Sequence, residues 1–318
     1  MKLIIQIPCY NEEATLGIAL GALPRTLPGV DQVEWLIIND GSSDKTVEVA
    51  RQHGVDHIVD LGFHQGLAKG FMAGLDACLK HGADIIVNTD ADNQYCADDI
   101  PKLLGPILCG EAQIVVGERP ISNVDHFSPF KKLLQKIGSL IVRIASGTEV
   151  ADAPSGFRAI TRDAAMQLNV FNKYTYTLET IIQAGRKNIP IRSVPIRVNG
   201  FLRPSRLMKS MSAYVQRSIF TILRIFMTYR PMWFFSVLGS GPICLGISLG
   251  LRWCYLFTLD PERAHVPSLI LATICTLVGV QLLIFGLIAD IIAVNRTLLE
   301  DIQLRARQRE YGPETPLS

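Results

Sequence analysis

Two aspartates, Asp90 and Asp92, stand one residue apart where the apolar run "IIVNT" (85–89) gives out. Like charges held this close at the end of a buried strand repel one another unless a cation or a set of N–H donors offsets them. A hard divalent ion, Mg²⁺ or Mn²⁺, meets that need, and such an ion is ordinarily shared with the phosphates of a substrate. The pair therefore points to a metal site, with a solvated turn as the plainer alternative. Two more polar clusters, "CYNEE" (9–13) and "NDGSSD" (39–44), follow apolar runs of the same kind. Asn11, Glu12, Asp40 and Asp44 are acceptors suited to the N–H groups of a base and the hydroxyls of a ribose, and Gly41 lets a ligand come close to the backbone. Asp44 also has a structural use, as an N-cap ahead of Glu48. The sequence contains neither Gly-x-Gly-x-x-Gly nor a Gly-Lys-[Ser/Thr] phosphate loop, so dinucleotide and P-loop chemistry find no support.

Clusters like these need a scaffold that brings them to one place. Apolar runs at 3–8, 34–40, 56–61, 84–90 and 112–118 read as strands, and helical patterns lie between them near 12–22, 44–53, 67–80 and 98–109. Strands apolar on both faces and spaced by helices predict a mostly parallel sheet covered on both sides. In such α/β sheets ligands bind beyond the carboxyl ends of the strands, where all three polar clusters fall.

The net charge of +2 conceals an asymmetry. Residues 1–179 carry 15 Lys/Arg against 22 Asp/Glu, while residues 180–230 carry ten Lys/Arg and no acid. A basic strip of this kind predicts an anionic partner. Residues 130–146 are amphipathic, and so is a segment from about 205 to 230, whose Arg206, Lys209, Arg217 and Arg224 recur at helical spacing. The first suits either the sheet or a membrane surface. The second suits an anionic membrane surface, and nothing points to a nucleic-acid partner. Residues 232–251 and 266–289 then run for 20 and 24 residues without a charge. Each is long enough to cross an apolar core of about 30 Å. Arginines flank the pair on its outer sides, so the positive-inside bias predicts a multi-pass membrane protein with both termini cytoplasmic and the loop 252–265 outside. Gly239, Gly241, Gly246 and Gly250 would let helices approach closely, which is compatible with a homo-oligomer. The seven cysteines form no CxxC pair and read as free thiols, no signal peptide is expected, and residues 311–318 read as a disordered tail. The expected organisation is a catalytic domain at 1–200, an interface segment at 201–231, two membrane helices within 232–294 and a cytoplasmic tail at 295–318.

A longer set of motifs runs in order along residues 3–207: "PCYNE" (8–12), "NDGSSD" (39–44), "DADNQ" (90–94), "VGER" (116–119), "DAPSGFRAI" (152–160), "VP" (194–195) and "RPSRL" (203–207). Together they resemble the family 2 glycosyltransferases of GT-A fold, and within them the dolichyl-phosphate mannose synthase-like group, which glycosylates polyprenyl phosphates. The two C-terminal apolar segments resemble the bacterial polyprenyl-phosphate glucosyltransferase branch. The resemblance implies that Pro8, Tyr10, Glu12 and Asp40 hold the nucleoside of a nucleotide-sugar. It implies that Asp90, Asp92 and Gln94 hold the diphosphate and Mg²⁺ or Mn²⁺. Arg119 and Arg203 would meet phosphate groups, and Asp152 falls where the family places an acid facing the reaction centre. Arg203, Ser205 and Arg206, with Lys132 and Lys136, would receive the acceptor phosphate of an undecaprenyl or dolichyl lipid. The sequence departs from the family at Asn39, where many members have Asp, at His64, where Asn is usual, and at "RPSR", which replaces a Gly-x-Ser-Lys ending. A lone histidine such as His64 is more often a surface or packing residue than a site residue.

The function expected is inverting sugar transfer from a nucleotide-sugar to a membrane polyprenyl phosphate. The alternatives are a glycosyltransferase acting on another lipid or a cell-wall glycan, and a catalytically dead, membrane-tethered sugar-nucleotide-binding protein. A processive polysaccharide synthase would want a Gln-x-x-Arg-Trp motif, which precedes none of Trp35, Trp233 and Trp253, and more than two spans.

Overall fold

The structure, a computed structural model, describes residues 1–120, 138–140, 142–170, 176–200, 220, 223–224, 226–259 and 266–311. The chain divides into two compact units, Met1–Met211 with Gln303–Ser318, and Ser212–Ile302.

The first unit is built on a seven-stranded sheet of order β3-β2-β1-β4-β6-β5-β7. Its strands are β1 (Lys2–Cys9), β2 (Gln32–Asn39), β3 (His57–Asp60), β4 (Ile85–Asn88), β5 (Ile114–Glu118), β6 (Arg158–Thr161) and β7 (Ile191–Pro195). All neighbours pair in parallel except β6, which runs antiparallel to both β4 and β5. The five apolar runs expected as strands are β1 to β5. Helices α1 (Leu16–Ala22), α2 (Thr46–Gln52), α3 (Leu67–Lys80) and α4 (Ile100–Leu108) follow β1 to β4, and α5 (Arg162–Gln167) and α6 (Thr177–Arg186) follow β6. Leu3, Ile5 and Ile7 of β1 pack with Leu16 and Leu20 of α1 and Leu103 and Leu104 of α4 on one face. Ile4 and Ile38 are likewise buried, as are Phe71 and Leu75 of α3, so the central strands are apolar on both sides, as parallel strands covered by helices must be.

The last turns of α8 (Val266–Tyr311) belong to this unit from Gln303 onward. There the buried Arg307 donates to the carbonyls of Met166 (3.1 Å) and Leu168 (2.8 Å) and pairs with Asp76 of α3 (2.9 Å). It thereby satisfies carbonyls left open at the end of α5. The expected tail 295–318 is thus helical as far as Tyr311, and residues 312–318 lie outside the described residues.

The second unit contains α7 (Pro231–Leu259) and the greater part of α8, two helices long and apolar enough to cross a membrane. Leu245, Ile247 and Leu251 of α7, and Ile274, Leu277 and Leu287 of α8, are exposed. Only 11% of the most apolar window of each helix is buried, which is not the pattern of a soluble core. The helices meet through glycine. A Cβ at Gly239 would lie 2.9 Å from the Gly279 carbonyl oxygen, and one at Gly246 would lie 2.9 Å from that of Ala272. Gly241 and Gly250 meet nothing within 4 Å. Beside them Arg296 donates to Tyr229 Oη and Glu300 Oε1, both at 2.9 Å. Of the two expected amphipathic segments, residues 142–146 and 226–229 are helical, and most of the remainder lies outside the described residues.

Candidate active site

The register of the sheet brings the three polar clusters to one edge. Cys9 pairs with Asn39 and Gln6 with Asn88, so Tyr10, Asp40 and Asp90 all follow the carboxyl ends of neighbouring strands. The ends of β1 and β2 are stitched together. The Asn11 N–H donates to Ser42 Oγ (3.0 Å), Asn11 Oδ1 accepts from the Ser43 N–H (2.8 Å), and the N–H of Glu12 donates to Thr46 Oγ1 (2.8 Å). Asn11 takes a φ of 53°, a left-handed conformation asparagine tolerates better than most residues. Asp44 accepts from the N–H groups of Glu13 and Thr46, both at 3.1 Å, and so joins two loops, but the N-cap position of α2 falls to Lys45, without a side-chain cap bond, and not to Asp44 as expected.

Asp40 is 4% exposed and accepts from the N–H groups of Gln65 (2.6 Å) and Gly66 (3.0 Å). Its Oδ2 also lies 2.9 Å from His64 Nδ1. The loop 61–66 crosses the end of β2 so closely that a Cβ on Gly41 would sit 2.5 Å from the backbone carbon of Phe63. The His64 ring packs on that of Tyr10 with centroids 4.2 Å apart.

Asp90 and Asp92 occupy the end of β4, both half-buried. Burial pushes the Asp90 carboxyl up to about 7; the charges of Asp92 and Glu12 push it the same way, while Arg119 and a hydrogen bond from Tyr95 oppose them. Asp92 Oδ1 accepts from the N–H of Gln94 (3.1 Å) and closes the turn, in which Asn93 has a φ of 55°. Beneath Asp90 lies a buried polar chain. Asn88 Oδ1 accepts from Gln6 Nε2 (2.9 Å), and its amide donates to the Gly156 carbonyl and Tyr176 Oη, both at 2.8 Å. The Gly156 N–H donates to Tyr95 Oη (2.9 Å). A Cβ on Gly156 would stand 3.2 Å from Asp90 Oδ1 and 3.0 Å from Tyr176 Oη, so glycine is what lets this loop pass so near the carboxylate.

Arg119 and Asp152 meet one another. Arg119 donates through Nε to Oδ2 (2.7 Å), through a terminal nitrogen to Oδ1 (3.0 Å) and through its backbone N–H to Oδ2 (3.2 Å). Asp152 is wholly buried. Burial works against the Arg119 charge, but the bonds to Asp152 outweigh it and hold the guanidinium protonated. The loop that carries Asp152 is braced by Arg158, also wholly buried, which donates to the carbonyls of Ala153 and Ser155, both at 2.9 Å, and to Thr180 Oγ1. A second brace holds the 92–99 turn. Asn199 donates to the carbonyls of Gln94 (2.8 Å) and Asn93 (2.9 Å), and Arg197 grips the buried Asp99 (2.6 and 2.8 Å).

Of the residues named from the sequence, Pro8, Tyr10, Glu12, Asp40, Asp90, Asp92 and Gln94 lie at this edge, with Arg119 leaving the end of β5. Arg203, Ser205, Arg206, Lys132 and Lys136 lie outside the described residues. Sequence reasoning missed Tyr95, Gly156, Arg158 and Asn199 as supports. One signal was present: a wholly buried strand that closes on Asn88 needs partners for its amide. Among the described residues no group of three or more His, Cys, Asp or Glu side chains converges as a metal site. Two carboxylates, one of them driven toward its neutral form by the other and by burial, still fit a hard divalent ion that takes its remaining ligands from substrate phosphate and water.

The strand order, the reversed β6 and the acidic turn after β4 define a GT-A fold. Residues 4–168, more than half of the chain, match the profile of glycosyl transferase family 2, and the chain belongs to that family. It is 28% identical over 206 residues to an undecaprenyl-phosphate mannosyltransferase from Micrococcus luteus, covering 62% of this chain and 83% of that one. It is 26% identical to an undecaprenyl-phosphate 4-deoxy-4-formamido-L-arabinose transferase from Salmonella choleraesuis, over 100% of this chain and 96% of that one. Among solved structures it is similar to glucosyl-3-phosphoglycerate synthase from Mycobacterium tuberculosis in complex with Mn²⁺, UDP-glucose and phosphoglyceric acid. That likeness has a TM-score of 0.55 at 22% identity and covers 70% of this chain and 79% of the other.

Proposed function

We propose that this chain transfers a sugar from a nucleoside diphosphate sugar to the phosphate of a membrane polyprenyl phosphate, with inversion at the anomeric carbon. One observation carries the reading. The acidic turn after β4 and the Tyr10 and Asp40 loops share one sheet edge, in a chain whose whole length aligns with an undecaprenyl-phosphate sugar transferase. Tyr10, Glu12 and Asp40, with Pro8 behind them, form the nucleoside side of the site. Asp90 and Asp92, with Gln94 in the same turn, would hold Mg²⁺ or Mn²⁺; the ion, when bound, offsets charge on the departing diphosphate. Arg119, held charged by Asp152, faces the same task, so Asp152 acts as a positioning residue through Arg119. A phosphate monoester has a second pKa near 6 and is already largely anionic at neutral pH. It therefore attacks with little need of a general base, and most of the rate gain comes from placement and charge stabilisation.

Arg203, Ser205 and Arg206, together with Lys132 and Lys136, are assigned from the sequence to the acceptor phosphate. The two apolar helices are assigned to the inner membrane, with both termini cytoplasmic, where a lipid phosphate would present its head group. The test is transfer of label by the detergent-solubilised full chain from a panel of radiolabelled nucleotide-sugars to undecaprenyl phosphate. Label is expected in the organic phase with Mg²⁺ or Mn²⁺ and not with a chelator. Hydrolysis or transfer to water-soluble acceptors alone would overturn the lipid assignment.

A further inference from the structure

Helix α8 carries an apolar face that α7 does not cover. Ala272, Gly279 and Gly286, seven residues apart, lie against α7: Gly279 meets Gly239, and a Cβ on Gly286 would stand 3.0 Å from that of Phe235. Gln281 follows Gly279 by two residues, about 160° round the helix. It belongs to a row that recurs every three and four residues from Ile270 to Ile302. In heptad terms the a positions are Ile274, Gln281, Ile288, Asn295 and Ile302, and every d position from 270 to 298 is isoleucine or leucine. The apolar members of the row are 49–64% exposed.

Lipid accounts for only part of this surface. At about 1.5 Å per residue the row is about 48 Å long, against an apolar membrane core of about 30 Å. It runs on past Asp290, where Ile291, Leu298 and Ile302 are still 58–63% exposed. The two amides add a second requirement. Among the described residues neither the Gln281 nor the Asn295 side chain has a hydrogen-bond partner. The hydroxyls of Thr273 and Thr276, on the same helix, donate to carbonyls four residues back, both at 2.9 Å. An amide is donor and acceptor at once, so it is its own complement across a two-fold axis. Copies of one membrane protein share an orientation, and an axis along the membrane normal sets each a position against its own counterpart.

We propose that a second copy of this chain packs in parallel along the Ile270–Ile302 row as a coiled coil, with Gln281 and Asn295 each bonded to its counterpart. A strict seven-residue repeat on a helix of 3.6 residues per turn winds such a pair left-handed. The isoleucines and leucines supply the packing, and the amides fix the register: a slip of one heptad would set every amide against an isoleucine. Gly239 and Gly246, read from the sequence as contacts for an oligomer, are taken up within the chain by α8, so the surface between copies is a different one. The parallel sense rests on the membrane assignment above.

The experiment is disulfide trapping in membranes that hold the full chain. Asn295→Cys places a thiol on the row, and Thr297→Cys, two residues on, places one on the other side of the helix; wild type, with its native cysteines, sets the baseline. Under copper–phenanthroline oxidation Asn295→Cys is expected to give a reducible dimer band beyond that of wild type, and Thr297→Cys none. Adding Leu298→Arg to Asn295→Cys sets an unpaired charge in the seam and is expected to remove the band. A second measurement needs no added thiol. Light scattering of the solubilised wild type is expected to give at least two chains per particle, and Leu298→Arg one, with unchanged circular dichroism. An Asn295→Cys band no stronger than that of Thr297→Cys, or one chain per particle for wild type, would overturn the proposal and leave the row to lipid, to another part of this chain or to another protein. Neither measurement reads sugar transfer, so failure of the glycosyltransferase reading would leave the result standing.

Discussion

Asp40 and Asp90 close the two strands that flank β1, and they are treated in opposite ways. Asp40 is ringed by donors: two backbone N–H groups and an imidazole converge on it, and it serves as the brace that ties a loop across the end of β2. Asp90 has acids for neighbours. Burial, Asp92 and Glu12 drive its carboxyl up to about 7 against the pull of Arg119 and Tyr95. The same residue type beyond the ends of two strands of one sheet is thus already supplied with donors in one case and crowded by like charge in the other. The lesson concerns how to recognise function. A buried carboxylate surrounded by N–H groups is held in place before any ligand arrives, whereas one crowded by other carboxylates fits a cation from outside.

The sharpest way to break this contrast is Asp92→Asn. If the β4 turn serves a metal, sugar transfer should fall by at least about a hundredfold, with circular dichroism and melting unchanged; retained full activity with Mg²⁺ or Mn²⁺ would remove the metal assignment. Asp40→Ala probes the other side. It leaves the N–H groups of Gln65 and Gly66 without their acceptor and should cost about 3 kcal/mol in a denaturant titration of the solubilised protein. A loss confined to nucleotide affinity, with stability intact, would mean that Asp40 is no brace. The smallest effect is expected at Asp99→Asn, behind the β4 turn. Burial would raise Asp99, but the hydrogen bonds from Arg197, with help from Lys102, bring it down to about 2. Arg197 is 59% exposed and can turn to water, so the loss should be only about 1.5 kcal/mol. A depressed carboxyl stabilises the folded state above its unfolded pKa. The contribution should therefore be complete above about pH 4 and fade as the pH falls toward 2. Wild type and Asp99→Asn should converge in melting temperature over that interval.

The sequence reveals more of the scaffold than of the supports. Strands β1 to β5 stand out as apolar runs because both faces of a parallel sheet are covered. β6 does not, since its four residues begin with Arg158, a charge that is buried only because carbonyls from its own loop surround it. β7 is hidden for a different reason: it is an edge strand, and the exposed Arg192 and Pro195 interrupt its apolar pattern. At the site, the acids and their spacing are visible in the one-dimensional text, but their partners are not. Tyr95 meets Gly156 across 61 positions and Asn88 meets Tyr176 across 88, distances over which no periodicity carries information. Arg119 and Asp152 are each recognisable as polar residues after apolar runs. Their union is a fact of folding: the guanidinium of Arg119 donates to both oxygens of Asp152 across 33 positions.

The direction of β6 has a consequence for the segment that precedes it. Arg158 pairs with Asn88 and with Val116, so the chain departs from the sheet after β5 and returns to it at the same rim. The segment between β5 and β6 therefore has both its ends at the edge of the sheet that carries Asp90. A change in the length of that segment would leave the pairing of β6 with β4 and β5 in place. One reversed strand anchors both ends of that segment without setting its length.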